Sequence, residues 1–239
     1  MIKALVILST LAVFILGGCG VKKEEANQTQ AREEQKAPKE MDTKDLPQVT
    51  AFQDEATREY MVSTKEVELG YYLLESKNKR FRMIFPDKGK VILSRSSYIS
   101  ENEESIGFNS YDEDNNILFD GKVTYYKGHS FVQDTEVMLE IISGKNDYTG
   151  EYHNEENNNN NIYLASKKYT FDNIDRKYNF TYGYFGFVKF EEEDDEGIEF
   201  SFSYSCKDDD KACNLEEGET KNIAKKIIQS FSFLSNGKE

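Results

Sequence analysis

Tryptophan is absent from this chain of 239 residues, histidine occurs twice, cysteine three times, and acids outnumber bases. With 30 Lys and Arg against 44 Asp and Glu, the formal charge is −14. This argues against a nucleic-acid partner, because phosphates require a basic face. Two histidines exclude histidine-rich metal sites, and three cysteines leave little material for a zinc site. No phosphate-binding glycine loop, zinc helix motif or dinucleotide fingerprint occurs, so no cofactor is expected.

The apolar run at the start of the chain is short for a membrane span. Residues 4–16 number 13 and make about 20 Å of helix, whereas a hydrocarbon core is about 30 Å thick. The run follows Lys3 and ends in two glycines before Cys19. A positive start, a short apolar core and a small-residue exit predict a secretory signal peptide over residues 1–18.

Residues 16–19, Leu-Gly-Gly-Cys, resemble the lipobox of bacterial lipoproteins. The resemblance implies that the Cys19 thiol receives a diacylglyceryl group, that a peptidase cuts before Cys19, and that the new amino group is acylated. Two acyl chains hold a protein firmly, at about 0.8 kcal/mol per buried CH₂. The expected location is therefore the extracytoplasmic face of the cell membrane. An uncleaved anchor with an incidental cysteine is the alternative.

Abundant Lys, Asn, Ile and Glu, together with the lack of Trp, are typical of an AT-rich Gram-positive genome. The protein is accordingly expected to come from a Gram-positive bacterium.

The next segment, residues 19–50, is polar, mixed in charge and holds two of the three prolines. It has too little apolar surface to offset the entropy of ordering, so a disordered linker is predicted, with a short helix over 24–37 as the alternative. Residues 51–239 then form one acidic globular domain, which carries the whole formal charge of −14. An anionic membrane should repel such a domain and keep it off the lipid.

Alternation of apolar and polar residues predicts a strand-rich domain. The predicted strands are 81–85, 117–126, 137–142, 162–171 and 198–204. A further segment, 177–190, is apolar on both faces, which is typical of a central strand covered on both sides. Gly183 and Gly186 within it indicate a bulge or a close approach of two backbones.

One amphipathic helix is predicted over 216–230, where Ile223, Ile227 and Phe231 are spaced at i, i+4 and i+8. A weaker helix is predicted over 54–61. Because strands dominate and helices lie near the ends, the predicted fold class is α+β, with a largely antiparallel β-sheet packed by the C-terminal helix.

Two polar segments are predicted to be surface loops. Residues 143–161 include five consecutive asparagines, 157–161, and should form a mobile loop. Residues 191–197 are six acids followed by Gly, which predicts a solvated hairpin turn, with a cation site as the alternative.

Two short stretches resemble the PsbP/Mog1-type fold, in which helices sandwich an antiparallel sheet. They are Arg-Phe-Arg-Met-Ile-Phe-Pro at 80–86 and Ile-Ile-Gln-Ser-Phe-Ser-Phe at 227–233. The resemblance implies an αβα sandwich. It supplies no catalytic residues that match positions in this chain.

Cys206 and Cys213 are predicted to form a disulfide. Export places them in an oxidising compartment, and lipidation of Cys19 leaves them as an even pair. A bridge that closes this loop of eight residues stabilises the fold by about 2.5 kcal/mol on the chain-entropy model. Two free thiols or a redox pair are the alternatives, and the lack of a Cys-x-x-Cys spacing disfavours redox use.

Asp112, Asp114 and Asn116 begin like a calcium-binding loop. The pattern then fails, because Ile117 stands where the loop needs Gly and Val123 where it needs Glu. A plain turn is therefore favoured, and these three residues remain weak candidates for a metal site.

Gly128-His129-Ser130 imitates half of a nucleophile elbow, but Val132 replaces its second glycine. The segment is expected to be a hairpin between two strands. The other histidine, His153, falls in the predicted mobile loop, whereas a serine hydrolase needs its base held rigidly beside the serine. Serine hydrolysis is therefore disfavoured.

These features predict a non-enzymatic, membrane-anchored lipoprotein whose domain binds or assists an unidentified envelope protein or matrix component, in surface or multicellular behaviour. One alternative is a wall or polysaccharide hydrolase that uses acids such as Asp112 with Asp114. Another is a solute-binding lipoprotein, which requires two α/β lobes that the strand-rich order disfavours. A deep pocket with convergent carboxylates would favour an enzyme, and a flat or grooved face would favour a binder.

Overall fold

A computed structural model describes residues 36–157, 159–172 and 175–234 of the chain. Cys19, the predicted signal peptide and the first part of the predicted linker lie outside these residues. Within them, no helix has the length and apolar character needed to cross a membrane.

Strands make up most of the described domain. They are β1 (Tyr71–Glu75), β2 (Phe81–Pro86), β3 (Gly89–Val91), β4 (Ser97–Ser100), β5 (Glu103–Asp112), β6 (Ile117–Lys127), β7 (His153–Asn157), β8 (Asn160–Thr170), β9 (Phe180–Phe190), β10 (Glu196–Cys206) and β11 (Ser232–Phe233). The helices are α1 (Thr50–Gln53), α2 (Glu55–Arg58), α3 (Ser130–Gln133), α4 (Thr135–Asn146) and α5 (Glu217–Gln229).

The strands form two antiparallel sheets. The large sheet has eight strands in the order β3-β5-β6-β10-β9-β8-β7, with β4 pairing to the start of β5, and the small sheet has the order β1-β2-β11. One face of the large sheet packs against the small sheet, α1 and α5, and the other face packs against α3 and α4. The predicted α+β class, the antiparallel pairing and the packing of the C-terminal helix are confirmed.

Strand β9 is the central strand that the sequence predicts. Its Tyr184 and Val188 belong to the core beneath α5, whereas Phe185 and Phe187 belong to the core beneath α4. Pairing with both neighbours runs in continuous register, so β9 contains no bulge. At Gly186 an added Cβ would collide with the carbonyl oxygen of Tyr163 on β8, which confirms a close backbone approach.

The predicted strand over 137–142 is wrong, because these residues belong to α4. Val137 and Ile141 resemble strand residues, but Asp134 caps a helix by accepting hydrogen bonds from the N–H groups of Glu136 and Val137. Met138 and Ile142 are both buried, and their spacing of four residues places them on one face of a helix. The weaker predicted helix over 54–61 is confirmed only in part, because α2 is a single helical turn over 55–58.

The loop predicted over 143–161 is also wrong. Helix α4 continues through Asn146, and β7 forms the polar edge strand of the large sheet. Glu155 of β7 accepts hydrogen bonds from Lys225 at 2.9 Å and Gln229 at 2.8 Å, both on α5. Polar residues at an edge strand keep it from pairing with other chains, so low hydrophobicity does not rule out a strand here.

The packed domain begins earlier than the predicted boundary at residue 51. Residues 38–40 and 43–45 form 3₁₀ turns, Pro38 is buried, and Leu46 is 3% exposed within the main core. The second part of the predicted linker is thus part of the domain, because single apolar residues spaced through a polar segment are enough to hold it against the core.

Candidate functional site

The predicted disulfide between Cys206 and Cys213 is confirmed. It joins the end of β10 to the segment before α5. Beside it, the side chain of Asn116 donates to the carbonyl of Asp208 at 2.7 Å and accepts from the N–H of Asp208 at 3.0 Å. The loop is therefore held both covalently and by hydrogen bonds, and this favours a structural role.

The calcium-like segment forms the turn between β5 and β6. Asp112 contacts Lys88 at 3.3 Å and Asn115 at 2.7 Å, and the hydrogen bond from Asn115 lowers the pKa of the Asp112 carboxyl. Asn116 points toward the disulfide loop instead of toward Asp112. The turn does not bring Asp112, Asp114 and Asn116 together as a set of ligands. Among the residues that the structure describes, no three His, Cys, Asp or Glu side chains could share a metal ion.

The Gly128-His129-Ser130 segment is not the expected hairpin, because it leads from β6 into the short helix α3. The strand residues before Gly128 and the glycine itself suit a turn into either a second strand or a helix, so the sequence does not distinguish the two. His129 Nε2 lies 3.5 Å from Glu103 Oε2, and its ring stands edge-on to that of Tyr126 at 5.6 Å. Ser130 is exposed at the first position of α3.

A polar concave surface beside this segment is a groove of about 260 Å³ on the α4 side of the large sheet. We name it the β6–β10 groove. Its floor comes from alternate residues of two adjacent strands and its wall from the end of α4, and its lining residues are Lys122, Thr124, Tyr126, Lys145, Asn146, Glu199 and Ser201. It exists because α4 crosses β9 and leaves these residues of β6 and β10 uncovered.

The one carboxylate inside the β6–β10 groove is paired, whereas the lining residue Lys122 is exposed. Glu199 accepts hydrogen bonds from Lys145 at 2.8 Å and from the Tyr126 hydroxyl at 3.2 Å. Burial, followed by the nearby Glu199 carboxylate, raises the pKa of Tyr126, so its phenol stays protonated at neutral pH. Thr124 shares a hydrogen bond of 2.9 Å with Ser105. The groove thus offers hydroxyl groups and a neutralised ion pair, which suit hydrogen bonding better than proton abstraction.

A buried ion pair lies near the start of β10. Glu196, which is 4% exposed, accepts hydrogen bonds from Lys127 at 2.5 Å and from the Tyr125 hydroxyl at 2.8 Å. The sequence places Glu196 in a solvated acidic turn, and that is wrong for this residue, since the turn proper ends before it. Tyr125 and Lys127 lie on β6 and both donate to Glu196 on β10, so these hydrogen bonds hold the two strands together.

Sequence reasoning missed the β6–β10 groove, although a signal for it was present. The alternation in β10 places Glu199 and Ser201 on the face opposite the aromatic residues, and this polar face is visible in the sequence. The sequence does not show that α4 is a helix, and it therefore does not show that one part of the polar face stays open.

Comparison with known proteins agrees with both resemblances noted in the sequence. A family model named for YvcA and Mog1p, and described as “Putative lipoprotein YvcA”, matches residues 47–232. The “Putative lipoprotein YvcA” of Bacillus subtilis (strain 168) is 53% identical over 238 residues, which cover 99% of each chain. No solved structure matches significantly. With its helices on both faces of an antiparallel sheet, the chain belongs to the YvcA family of lipoproteins, with a Mog1-type fold.

Proposed function

We propose that this protein is anchored through lipidated Cys19 to the extracytoplasmic face of the cell membrane and has no catalytic role. In this proposal residues 1–18 are the signal peptide, and a short tether leads to a domain that begins near residue 36. The domain binds or assists an envelope protein or a matrix component in surface or multicellular behaviour. The observation that carries the proposal is the open β6–β10 groove, whose one carboxylate, Glu199, is already paired with Lys145.

The state of the acidic side chains supports a binder over a hydrolase. A glycosidase needs two carboxyl groups facing one substrate, one of them protonated and the other ionised. Asp112 is instead held by Lys88 and Asn115, and its pKa is lowered, which suits an ionised structural carboxylate. Glu199 is likewise engaged by Lys145 and Tyr126. Carboxylates that are held in this way suit a binding surface better than the active site of a hydrolase.

The architecture also supports a binder over a solute-binding lipoprotein. A solute-binding protein of that class closes two α/β lobes on its ligand. The described residues form one compact unit around a large antiparallel sheet. The grooves on that unit are open to solvent, and such surfaces suit a macromolecular partner.

The anchor is tested by labelling cells that express the full chain with a clickable palmitate analogue. We expect label on the parent protein, loss of label in Cys19→Ala, and release of that variant from the membrane fraction. Cys206→Ser with Cys213→Ser provides the control, because it removes the other two cysteines and should keep the label. Equal fractionation and maturation of Cys19→Ala and the parent would overturn the proposed anchor.

The binding role is tested by a photo-crosslinking amino acid at Ser201 in the β6–β10 groove of the anchored protein. A matched probe at Lys211, an exposed residue of the disulfide loop, is the control. We expect intact cells to yield a discrete crosslinked product from Ser201 and none from Lys211. Cleavage of wall polymer or polysaccharide by the purified protein, abolished by Asp112→Ala, would favour the hydrolase instead.

A further inference from the structure

A second groove, of about 420 Å³, carries positive charge on this acidic protein. We name it the lysine groove. Its floor includes Tyr60 and Ser76, both buried, and its rim carries Lys39, Lys77, Lys79 and Arg82. The acids that line it are Glu59 and Glu75. Four bases against two acids contrast with the formal charge of −14 on the whole chain.

The excess of two positive charges belongs to the lysines, because one acid and one base of the groove are paired with each other. Glu75 lies 2.6 Å from Arg82 in an ion pair within the small sheet. Three exposed lining lysines, Lys39, Lys77 and Lys79, then remain against the lining residue Glu59. The buried Glu104 carboxylate also lies beneath Lys77. A concave surface with an excess of one sign of charge attracts ions of the opposite sign.

The turn that carries Lys77 and Lys79 is fixed from below. The carboxylate of Glu104, which has no exposed surface, accepts hydrogen bonds from the N–H groups of Lys77 at 3.1 Å and Asn78 at 2.8 Å. Ser76 Oγ accepts two more from the N–H groups of Arg80 and Phe81. A ligand therefore meets lysines on a preorganised backbone, which lowers the entropic cost of binding.

The lysine groove lies where the chain leaves the domain toward Cys19. Ala37 and Lys39, among the first residues that the structure describes, form part of its rim. Only residues 20–35 separate Cys19 from this point, and a chain of that length spans at most about 60 Å when fully extended. In the anchored protein this rim is the part of the domain from which the membrane is reached.

We infer that the lysine groove seats the phosphate headgroups of anionic lipids in the membrane that anchors the protein. This inference rests on the proposed anchoring at Cys19. Attraction at the groove and repulsion of the acidic remainder then orient the domain with the lysine groove toward the lipid. In this inference an anionic membrane repels the acidic remainder of the domain and attracts only this one face.

The orientation is measurable because the chain lacks tryptophan. Glu59→Trp introduces a fluorophore at the rim of the lysine groove. Phe171→Trp introduces one after β8, at the end of the large sheet opposite Glu104, where Phe171 is 42% exposed. Each lipidated full-length variant is reconstituted in vesicles that contain brominated lipid. We expect stronger quenching at position 59 than at position 171 with phosphatidylglycerol, and equal quenching with phosphatidylcholine alone.

Charge reversal supplies the second measurement. In the Glu59→Trp background, Lys77→Glu with Lys79→Glu should abolish the additional quenching, since each lysine near an anionic surface changes the docked-to-undocked ratio about fivefold. Lys168→Glu with Lys177→Glu, two exposed lysines next to the Phe171 loop, is the matched control and should leave quenching unchanged. The additional quenching should also disappear at 1 M salt, where the Debye length is about 3 Å.

Each result has a defined meaning. Equal quenching at both positions, or a loss of quenching only in the Lys168 and Lys177 variant, overturns the inference. Abolition of the additional quenching by inorganic phosphate at constant ionic strength, with no preference for phosphatidylglycerol, identifies a free-phosphate site and also overturns it. Failure of the anchor is distinguishable, because an unlipidated chain does not enter the fraction of vesicles made of phosphatidylcholine alone.

Discussion

Glu104 Oε2 accepts a hydrogen bond of 2.8 Å from the backbone N–H of Asn78, although Glu104 has no exposed surface. The two residues tie the first strand pair of the small sheet to β5 of the large sheet. Burial raises the pKa of the Glu104 carboxyl, against the opposing effect of the N–H groups of Asn78 and Lys77. Glu104 is thus a buried acid whose charge affects how the two sheets hold together.

Replacement of this acid should change how stability depends on pH. A carboxyl with a higher pKa in the folded state binds more protons when folded. Its contribution to the free energy of unfolding is full below the unfolded value of 4.5 and is lost as the pH rises through the folded value. We expect the stability of the parent relative to Glu104→Gln to fall as the pH rises above 4.5, as measured by urea unfolding over a series of pH values.

Glu101→Gln is the control for this measurement. Glu101 lies three residues before the buried section of β5 begins at Glu104, and its side chain is 81% exposed, with Oε2 3.8 Å from Arg80 Nη2. Its replacement removes this long ion pair and should change the free energy of unfolding by less than about 1 kcal/mol. A difference between the parent and Glu104→Gln that is constant over the pH range, or that grows with pH, would contradict the prediction.

Reduction of the disulfide should destabilise the domain without unfolding it. The Cys206–Cys213 bridge closes a short loop and is worth about 2.5 kcal/mol on the chain-entropy model. The hydrogen bonds between Asn116 and Asp208 remain after reduction. We expect Cys206→Ser with Cys213→Ser to lower the unfolding free energy by about that amount, and the reduced parent to match the variant. An unchanged midpoint in urea would show that the bridge closes no loop in solution.

The sequence predicts β6, β8, β9 and β10 of the large sheet and the helix α5, but not β5, the edge strands or α4. Aromatic residues alternate with polar ones in β10 and occupy both faces of β9. Each pattern follows directly from which faces of the strand are buried. Residues 137–142 are apolar in a way that suits either a strand or a helix, and only the cap at Asp134 decides between them. Strand β7 has little apolar content, and it forms because β8 and α5 supply its partners.

The candidate site depends even more on contacts between distant residues. Cys206 and Cys213 are close in sequence, so their pairing is predictable. The lysine groove combines Lys39, Tyr60 and Lys77 from three segments, and no local pattern joins them. Glu104 is equally inconspicuous in the sequence, since it occurs within the run Glu103-Glu104 and only its burial distinguishes it.

Gly186→Ala should be strongly destabilising because two strands meet there without room for a side chain. An added Cβ would overlap the carbonyl oxygen of Tyr163 on the adjacent strand, which is backbone and cannot rotate away. Overpacking in a core costs about 1–3 kcal/mol, and we expect the upper end of that range. Thermal or urea unfolding measures the loss.

Gly144→Ala is the matched control for this change. Gly144 lies within α4, and an added Cβ would meet no atom within 4 Å. Alanine in a helix interior is about 0.5–1 kcal/mol more favourable than glycine, so this variant should be more stable than the parent. The two glycine-to-alanine substitutions should therefore change the free energy of unfolding in opposite directions. Equal effects would contradict the strand register between β8 and β9.

Leu46→Ala tests whether the domain includes the end of the predicted linker. Leu46 is 3% exposed and belongs to the main core together with Phe52 and Tyr72. Removal of a buried leucine side chain leaves a cavity and costs about 2–5 kcal/mol. We expect a loss in that range in the free energy of unfolding. Leu69→Ala removes the same atoms from a side chain that is 88% exposed, and it should cost less than about 0.5 kcal/mol. If both variants unfold at the urea midpoint of the parent, residues 36–50 contribute nothing to the core, and the domain boundary returns to residue 51.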